Sequence, residues 1–225
     1  MSDIKLKRRE FTAYVSGLAF TAAFPGLAFA NVTSKDTYSV SVLGDMHYDT
    51  FPSEKFHAKA IPVYQANPKR HSRLKEFKRN AEMWQGISQG VLKAANKVIR
   101  KDTAFALQLG DLIQGDCMDD EIHKQMLTEA TDILEKTFPN LPIISVCGNH
   151  DVRDGRTDDG ASKAYADFFT KWESKQVKKN NLLPRGVANT TFGFRSGKDL
   201  WIALDFNYGR RDFNLVKEIL EKNKD

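Results

Sequence analysis

The sequence predicts an α/β protein in which central β-sheets are flanked by helices. Two observations support this prediction: apolar stretches of strand length alternate with longer stretches of helical periodicity, and three of the strands end in glycine followed by polar residues. Alternation of strand and helix is typical of a parallel sheet with crossover helices. Ligands of such sheets bind beyond the carboxyl ends of the strands, so we expect the three polar segments to meet at one edge.

The hydrophobic pattern predicts the first strands and helices in order. Apolar stretches with β-branched residues predict strands over residues 38–43, 104–109 and 141–147. Apolar residues at helical spacing predict helices over 73–100 and 119–136. The second of these helices begins with acidic residues, which suit the positive end of a helix dipole.

Residues 48–72 separate the first strand from the first helix. This stretch contains three prolines and no clear periodicity, so we expect an irregular segment that is functional or acts as a lid. His57 and His71 lie within it and are expected to be solvated, with contact to a substrate as the alternative for each. His123 is expected to be an ordinary residue of the second helix rather than a ligand.

The second half of the chain is predicted as a charged loop, a helix, a basic connection, a strand hairpin and a final helix. The hairpin is indicated by two strand-like runs on either side of a glycine-bearing turn. Asp212 is expected to cap the final helix. In order, these elements are expected over residues 152–160, 161–172, 175–185, 190–205 and from Asp212 to Leu220.

Residues 1–30 have the features of an export signal. A basic stretch precedes an apolar segment that is too short to span a membrane comfortably, and Ala28-Phe29-Ala30 fits a signal-peptidase site. The run Arg8-Arg9-Glu10-Phe11 resembles the twin-arginine signal, although Thr12 departs from its pattern. We therefore expect a bacterial protein exported to the periplasm or beyond, with its domain over residues 38–225. An uncleaved amphipathic N-terminus is the alternative.

Composition and charge exclude some classes of function. The chain has 225 residues, enough for one domain with a full core, and 41% of them are hydrophobic. Residues 1–30 hold four Lys or Arg and two Asp or Glu, so the net charge falls from +5 to +3 without them. This small excess does not indicate a nucleic-acid partner. The basic residues 69–73 are expected to form a solvated loop, which would attract an anionic substrate if it lies near the site.

The two cysteines, Cys117 and Cys147, each lie beside one of the strand-end segments. Two cysteines do not make a disulfide framework, so buried free thiols are the favoured interpretation. A disulfide between them stays open as the alternative.

The strand ends carry residues that bind metals. Asp45 and His47 are two positions apart, so in an extended tip both side chains point the same way and could hold one ion. Asp111 follows the second strand and could bridge two cations, and Asn149 offers a neutral amide oxygen after the third. This mixture of oxygen and nitrogen ligands suits a borderline divalent metal such as Mn, Fe or Zn.

The third strand end also carries candidates for acid catalysis. His150 could face the substrate as a general acid. Asp151 could then hold the imidazole of His150 in position.

Together the three segments resemble the calcineurin-like metallophosphoesterase superfamily, whose motifs are D-x-H, G-D and G-N-H-D/E, each after a strand. They match here as Asp45-Met46-His47, Gly110-Asp111 and Gly148-Asn149-His150-Asp151. The resemblance implies a four-layer α/β/β/α sandwich, here incomplete at its C-terminus. It also implies two divalent metal ions that hydrolyse a phosphate ester. Gln114 stands where the purple acid phosphatases of the family have a tyrosine, which argues against that branch.

The resemblance further implies a role for each matching residue. Asp45 and His47 would hold the first metal, Asp111 would bridge both ions, and Asn149 would hold the second. His150 would contact the scissile phosphate or the leaving group. Two cations about 3.5–4 Å apart polarise phosphoryl oxygens and activate water for in-line attack.

The sequence departs from the family downstream of these motifs. The family has a further histidine and then G-H-x-H, whereas the last of the five histidines here is His150. We weigh two explanations: the sequence is a piece of a longer enzyme, or it is a degenerate protein that binds one metal weakly or none. In either case we expect the 225-residue chain to have little phosphoesterase activity.

Three functions follow from these observations. The leading hypothesis is an exported metal-dependent phosphoesterase acting on phosphomonoesters or phosphodiesters, or the N-terminal part of one. The alternative is a non-catalytic remnant of the fold that acts as a binding or interaction protein. A nuclease of the same superfamily is disfavoured by the export signal and the modest charge.

Overall fold

The computed structural model describes residues 37–50, 52–156, 191–204 and 210–223, together with six positions between 165 and 176. The chain divides into two units, Met1–Thr37 and Tyr38–Asp225. The predicted export signal, residues 1–30, lies outside the described residues. So do residues 157–160 of the predicted charged loop and almost all of the predicted basic connection.

In the described part of the chain, three strands form a parallel sheet in the order β1-β2-β3. These strands are β1 (Ser39–Leu43), β2 (Thr103–Gln108) and β3 (Ile143–Ser145). Val42 lies beside Leu107, and Leu107 lies beside Ile144. The parallel sheet and its three strands are therefore confirmed, each within two residues of its predicted bounds.

The long helix predicted before β2 is a continuous helical stretch in three parts. Helix α3 (His71–Met83) leads into a π-helical turn (Trp84–Ser88), which leads into α4 (Gln89–Lys97). Helix α5 (Asp120–Thr137) follows β2. Asp119 caps α5, because its Oδ1 accepts the backbone N–H groups of two residues in the first turn, each at 3.0 Å. Both predicted helices are confirmed.

The expectation of irregular structure over residues 48–72 is wrong. This stretch contains α1 (Glu54–His57), α2 (Ala60–Ala66) and a 3-10 turn (Pro68–Arg70). Pro62 lies in the first turn of α2 and Pro68 is the first residue of the 3-10 turn. At such positions proline costs little, because the first N–H groups of a helix have no intrahelical partner anyway.

His57 is fully buried rather than solvated. Its Nε2 lies 2.9 Å from Oδ2 of Asp49, which is also fully buried. Its ring stacks on Phe77, with centroids 3.8 Å apart and planes 2° apart. This buried pair joins α1 to the segment that follows β1. His71, in contrast, is exposed as expected.

The predicted hairpin is confirmed by strands β4 (Phe192–Ser196) and β5 (Asp199–Ala203), which pair antiparallel. Gly197 makes the turn with a φ of 57°, a backbone conformation that favours glycine. Helix α6 (Asn149–Val152) follows β3. The final helix, α7 (Arg210–Glu221), places Asp212 within its first turn rather than at its cap. Helical residues among 165–172 agree with the helix predicted there.

The sheets and helices form layers. Ile143 faces a core shared with α5, whereas its neighbour Ile144 faces the second sheet, as alternation along a strand requires. Phe105 and Ile144 pack against the apolar face of β4 and β5. The opposite face of the antiparallel sheet packs against α7, since a Cβ on Gly193 would lie 2.9 Å from the side chain of Ile219. The order of layers is helices, parallel sheet, antiparallel sheet and helix, in agreement with the predicted fold class.

Cys117 and Cys147 are both buried, and no disulfide joins them. The favoured interpretation of the two cysteines is therefore confirmed. Among the helices that the structure describes, none combines the length and the apolar character needed to cross a membrane.

Candidate metal centre

The segments after β1 and β2 are joined backbone to backbone. The N–H groups of Met46 and His47 both donate to the carbonyl oxygen of Asp111, at 3.0 and 2.8 Å. His47 and Asp111 have φ angles of 43° and 49°. These angles lie in the left-handed region of backbone conformation, which residues other than glycine rarely adopt. Such conformations cost free energy, so they persist only where the surrounding contacts hold them in place. They are found most often at functional sites.

Three side chains from the three strand ends converge at this edge of the sheet. His47, Asp111 and His150 each offer a ligand atom, and these atoms all lie within 4.8 Å of one another. Nε2 of His47 is 3.8 Å from Oδ2 of Asp111. The rings of His47 and His150 meet edge to face, with centroids 4.4 Å apart. We call these three residues the triad.

The donor set of the triad fits a divalent cation. Two imidazoles and one carboxylate are ligands that borderline metals such as Mn, Fe and Zn accept. Nδ1 of His47 is buried and has no hydrogen-bond partner within the described part of the chain. Oδ1 of Asp111 accepts the backbone N–H of His150 at 2.9 Å, which orients the carboxylate for binding.

The other two predicted ligands are placed differently. Asp45 follows β1 but its side chain is exposed, and it is not part of the triad. Asn149 is the first residue of α6 (Asn149–Val152) and is also exposed. The metal-binding roles of Asp45 and Asn149 therefore stay predictions.

Asp151 ties the third strand end to the second. Its carboxylate is fully buried and accepts the backbone N–H of Gly148 at 2.9 Å and of Ile113 at 3.1 Å. Burial raises the pKa of Asp151 to about 7, although these hydrogen bonds act in the opposite direction. The contacts of the carboxylate are thus with the loop backbone, whereas the sequence had predicted that it would position the imidazole of His150.

The imidazole of His150 has other partners. Its Nδ1 lies 2.9 Å from the carbonyl oxygen of Gln114 and 2.9 Å from Nη2 of Arg153. Burial and the nearby Arg153 lower the pKa of His150. At neutral pH the ring is therefore uncharged, which is the form that ligates a metal. An uncharged ring lacks the extra proton that the predicted general acid would transfer, and that role stays a prediction.

His123 lies on α5, as expected, and its side chain is buried beneath this loop. Its Nε2 donates to the backbone carbonyl of Asp151 at 2.6 Å. Burial lowers the pKa of His123, which keeps the ring uncharged. The histidine therefore supports the turn that carries the triad without joining the triad.

The sequence interpretation missed a group of charged residues beside the triad. Nη2 of Arg153 lies 2.6 Å from Oδ2 of Asp116, which is only 1% exposed. The basic residues 69–73 are helical rather than a loop, and two of them have partners near the triad: Arg70 donates to the carbonyl of Gly155 at 2.8 Å, and Arg73 lies 3.9 Å from Asp116. The available signal in the sequence was the charged loop over residues 152–160, which directly follows the third motif. Such loops are usually solvated, so the signal did not indicate a buried ion pair.

The comparison with family models agrees with this geometry. The model for calcineurin-like phosphoesterases matches residues 38–223, which include both sheets and all three strand ends. Comparison with curated proteins and with solved structures gave no match. The family match covers well over half of the 225 residues. The chain belongs to the calcineurin-like phosphoesterase family.

Proposed function

We propose that this chain binds divalent cations at the carboxyl edge of its parallel sheet and hydrolyses phosphate esters there. The observation that carries the proposal is the convergence of His47, Asp111 and His150, whose ligand atoms lie within 4.8 Å of one another. Membership of the calcineurin-like phosphoesterase family supports the class of reaction.

The triad would hold the first cation, and Asp45 is the exposed carboxylate available to join it. Asn149 would contribute to a second cation, with Asp111 between the two. Mn, Fe and Zn are the candidates that suit this set of ligands. When bound, such cations supply positive charge to phosphoryl oxygens and lower the pKa of water.

The residues of the chain prepare the site before the substrate arrives. Asp111 is fixed by backbone hydrogen bonds that join its carbonyl to the first strand end and its carboxylate to His150. Asp151 holds the third strand end in place by accepting the backbone N–H groups of Gly148 and Ile113. Groups held in this way need little reorganisation during the reaction, which is how a preorganised site lowers a barrier. We place this activity in the periplasm or outside the cell, on the basis of the predicted export signal.

Hydrolysis of p-nitrophenyl phosphate and bis-p-nitrophenyl phosphate tests the proposal. Chelator-treated protein is assayed with and without Mn²⁺, as wild type, Asp111→Asn and the matched control Asp132→Asn, which changes an exposed aspartate on α5. We expect slow turnover that requires Mn²⁺, is reduced more than about tenfold by Asp111→Asn, and is unchanged by Asp132→Asn.

The second candidate is a cation-binding protein without catalysis. It is favoured by the position of Asp45, which lies outside the triad and is exposed. Mn²⁺ binding that depends on Asp111, combined with no turnover of either ester, would support this candidate and contradict the proposed enzyme.

A further inference from the structure

A largely buried guanidinium lies directly beside the triad. Nη2 of Arg153 is 2.9 Å from Nδ1 and 3.3 Å from Nε2 of His150. The side chain of Arg153 is only 12% exposed. The guanidinium therefore contacts a member of the triad directly.

Arg153 is held in place by several contacts. Asp116 pairs with its Nη2 at 2.6 Å and donates its own backbone N–H to the carbonyl of Arg153 at 2.8 Å. Gly115, with a φ of 65°, lies so close to this loop that a Cβ there would be 2.7 Å from the same carbonyl. These contacts hold the backbone of Arg153, and the pair with Asp116 holds its guanidinium.

The guanidinium has donors that its protein partners do not use. An arginine side chain carries five N–H donors and no acceptor. Nε of Arg153 is buried and has no hydrogen-bond partner among the residues that the structure describes. A buried donor without an acceptor is unfavourable, and a phosphoryl oxygen within hydrogen-bond distance of Nε would satisfy it.

Charge points to the same kind of ligand. A cation on the triad and the guanidinium of Arg153 would place two positive groups next to His150. Asp116 offsets only part of this charge, because Arg73 also lies 3.9 Å from it. An anion with several oxygens can touch both positive groups at once, and guanidinium binds phosphoryl oxygens especially well.

We propose that Arg153 binds the phosphoryl group of the substrate. This inference rests on the proposed function and names a residue that recognises the anion at the same site. It makes Arg153 a substrate-binding residue in addition to a counter-ion of Asp116.

The test is the binding of inorganic phosphate to the full chain loaded with Mn²⁺, measured by isothermal titration calorimetry. Arg153→Gln removes the guanidinium, and Arg73→Gln is the matched control, because the partners of Arg73 among the described residues are Glu76 and Asp116 rather than His150. We expect Arg153→Gln to weaken phosphate binding about tenfold or more, whereas Arg73→Gln leaves it within about twofold.

Two further variants keep the test decisive. Arg153→Gln with Asp116→Asn avoids an unpaired buried carboxylate, and its folding is checked by thermal unfolding. Arg153→Lys keeps the charge and should restore part of the affinity for phosphate.

The outcomes separate this inference from the proposed function. If wild type binds no Mn²⁺, the proposed function fails. If wild type binds Mn²⁺ and phosphate, and Arg153→Gln binds phosphate equally well, Arg153 is only a counter-ion and the inference is overturned. An equal loss in Arg73→Gln would also overturn it, because the effect would then act through Asp116.

Discussion

Gly148 lies so close to Asp111 that a Cβ on residue 148 would be 2.2 Å from both the backbone nitrogen and Oδ1 of Asp111. The third strand end can therefore approach the second only where a side chain is missing. The same carboxylate oxygen accepts the N–H of His150. The glycine of the third motif is thus required by packing against a member of the triad.

Replacing Gly148 should damage the triad more than the fold. Gly148→Ala must displace Asp111 or the loop, and we expect it to cost about 1–3 kcal/mol of stability. We also expect it to weaken Mn²⁺ binding at least about tenfold, as measured by calorimetry. The matched control is Gly90→Ala in α4, where an added Cβ meets nothing within 4 Å. That control should be neutral or stabilising by up to about 1 kcal/mol. Wild-type Mn²⁺ affinity in Gly148→Ala would contradict the packing argument.

The buried pair of Asp49 and His57 should be important for stability. His57→Ala leaves the Asp49 carboxylate buried without its partner, and removing one member of such a pair costs about 3–5 kcal/mol. Urea unfolding measures this loss. The control is Glu82→Gln, which breaks an exposed pair with Lys78 and should cost less than about 1 kcal/mol. Equal losses of unfolding free energy in the two variants would show that the buried pair stabilises the protein no more than the exposed pair does.

Phe105 should be central to the contact between the two sheets. Its side chain is 0% exposed and lies edge to face with Phe194 and Trp201. Phe105→Ala should therefore destabilise the protein by about 3–5 kcal/mol. Phe213→Ala removes a ring that is 63% exposed on α7, and we expect a change within about 0.5 kcal/mol. Similar unfolding midpoints for the two variants would contradict the layered packing.

The two thiols should be protected in the folded protein. Burial raises the pKa of Cys117 to about 12, so almost none of it is thiolate at pH 8. We expect a thiol reagent such as DTNB to react with neither cysteine in the native protein and with both in denaturant. Fewer than two reactive thiols in denaturant, without added reductant, would show that Cys117 and Cys147 form a disulfide.

The strands and the meeting of the triad could be predicted because they depend on local pattern and simple topology. Apolar runs of strand length predicted β1, β2 and β3, and parallel pairing brings their carboxyl ends to one edge. His47, Asp111 and His150 each follow one of these strands, so their convergence required no knowledge of tertiary contacts.

The rest depended on contacts between distant residues. The helices α1 and α2 were missed because prolines suggested a break, whereas Pro62 lies within the first turn of α2 and Pro68 begins the 3-10 turn. The burial of His57 depends on Phe77 of another helix. Arg153 was assigned only to a charged loop, because its partner, Asp116, belongs to a different strand end.

The central claim is that the triad binds a divalent cation, and calorimetric titration of Mn²⁺ into wild type and Asp111→Asn tests it most directly. We expect wild type to bind at least one Mn²⁺ per chain and Asp111→Asn to bind it more than about tenfold more weakly. The absence of Mn²⁺ binding to wild type, or equal affinity in Asp111→Asn, would contradict the claim.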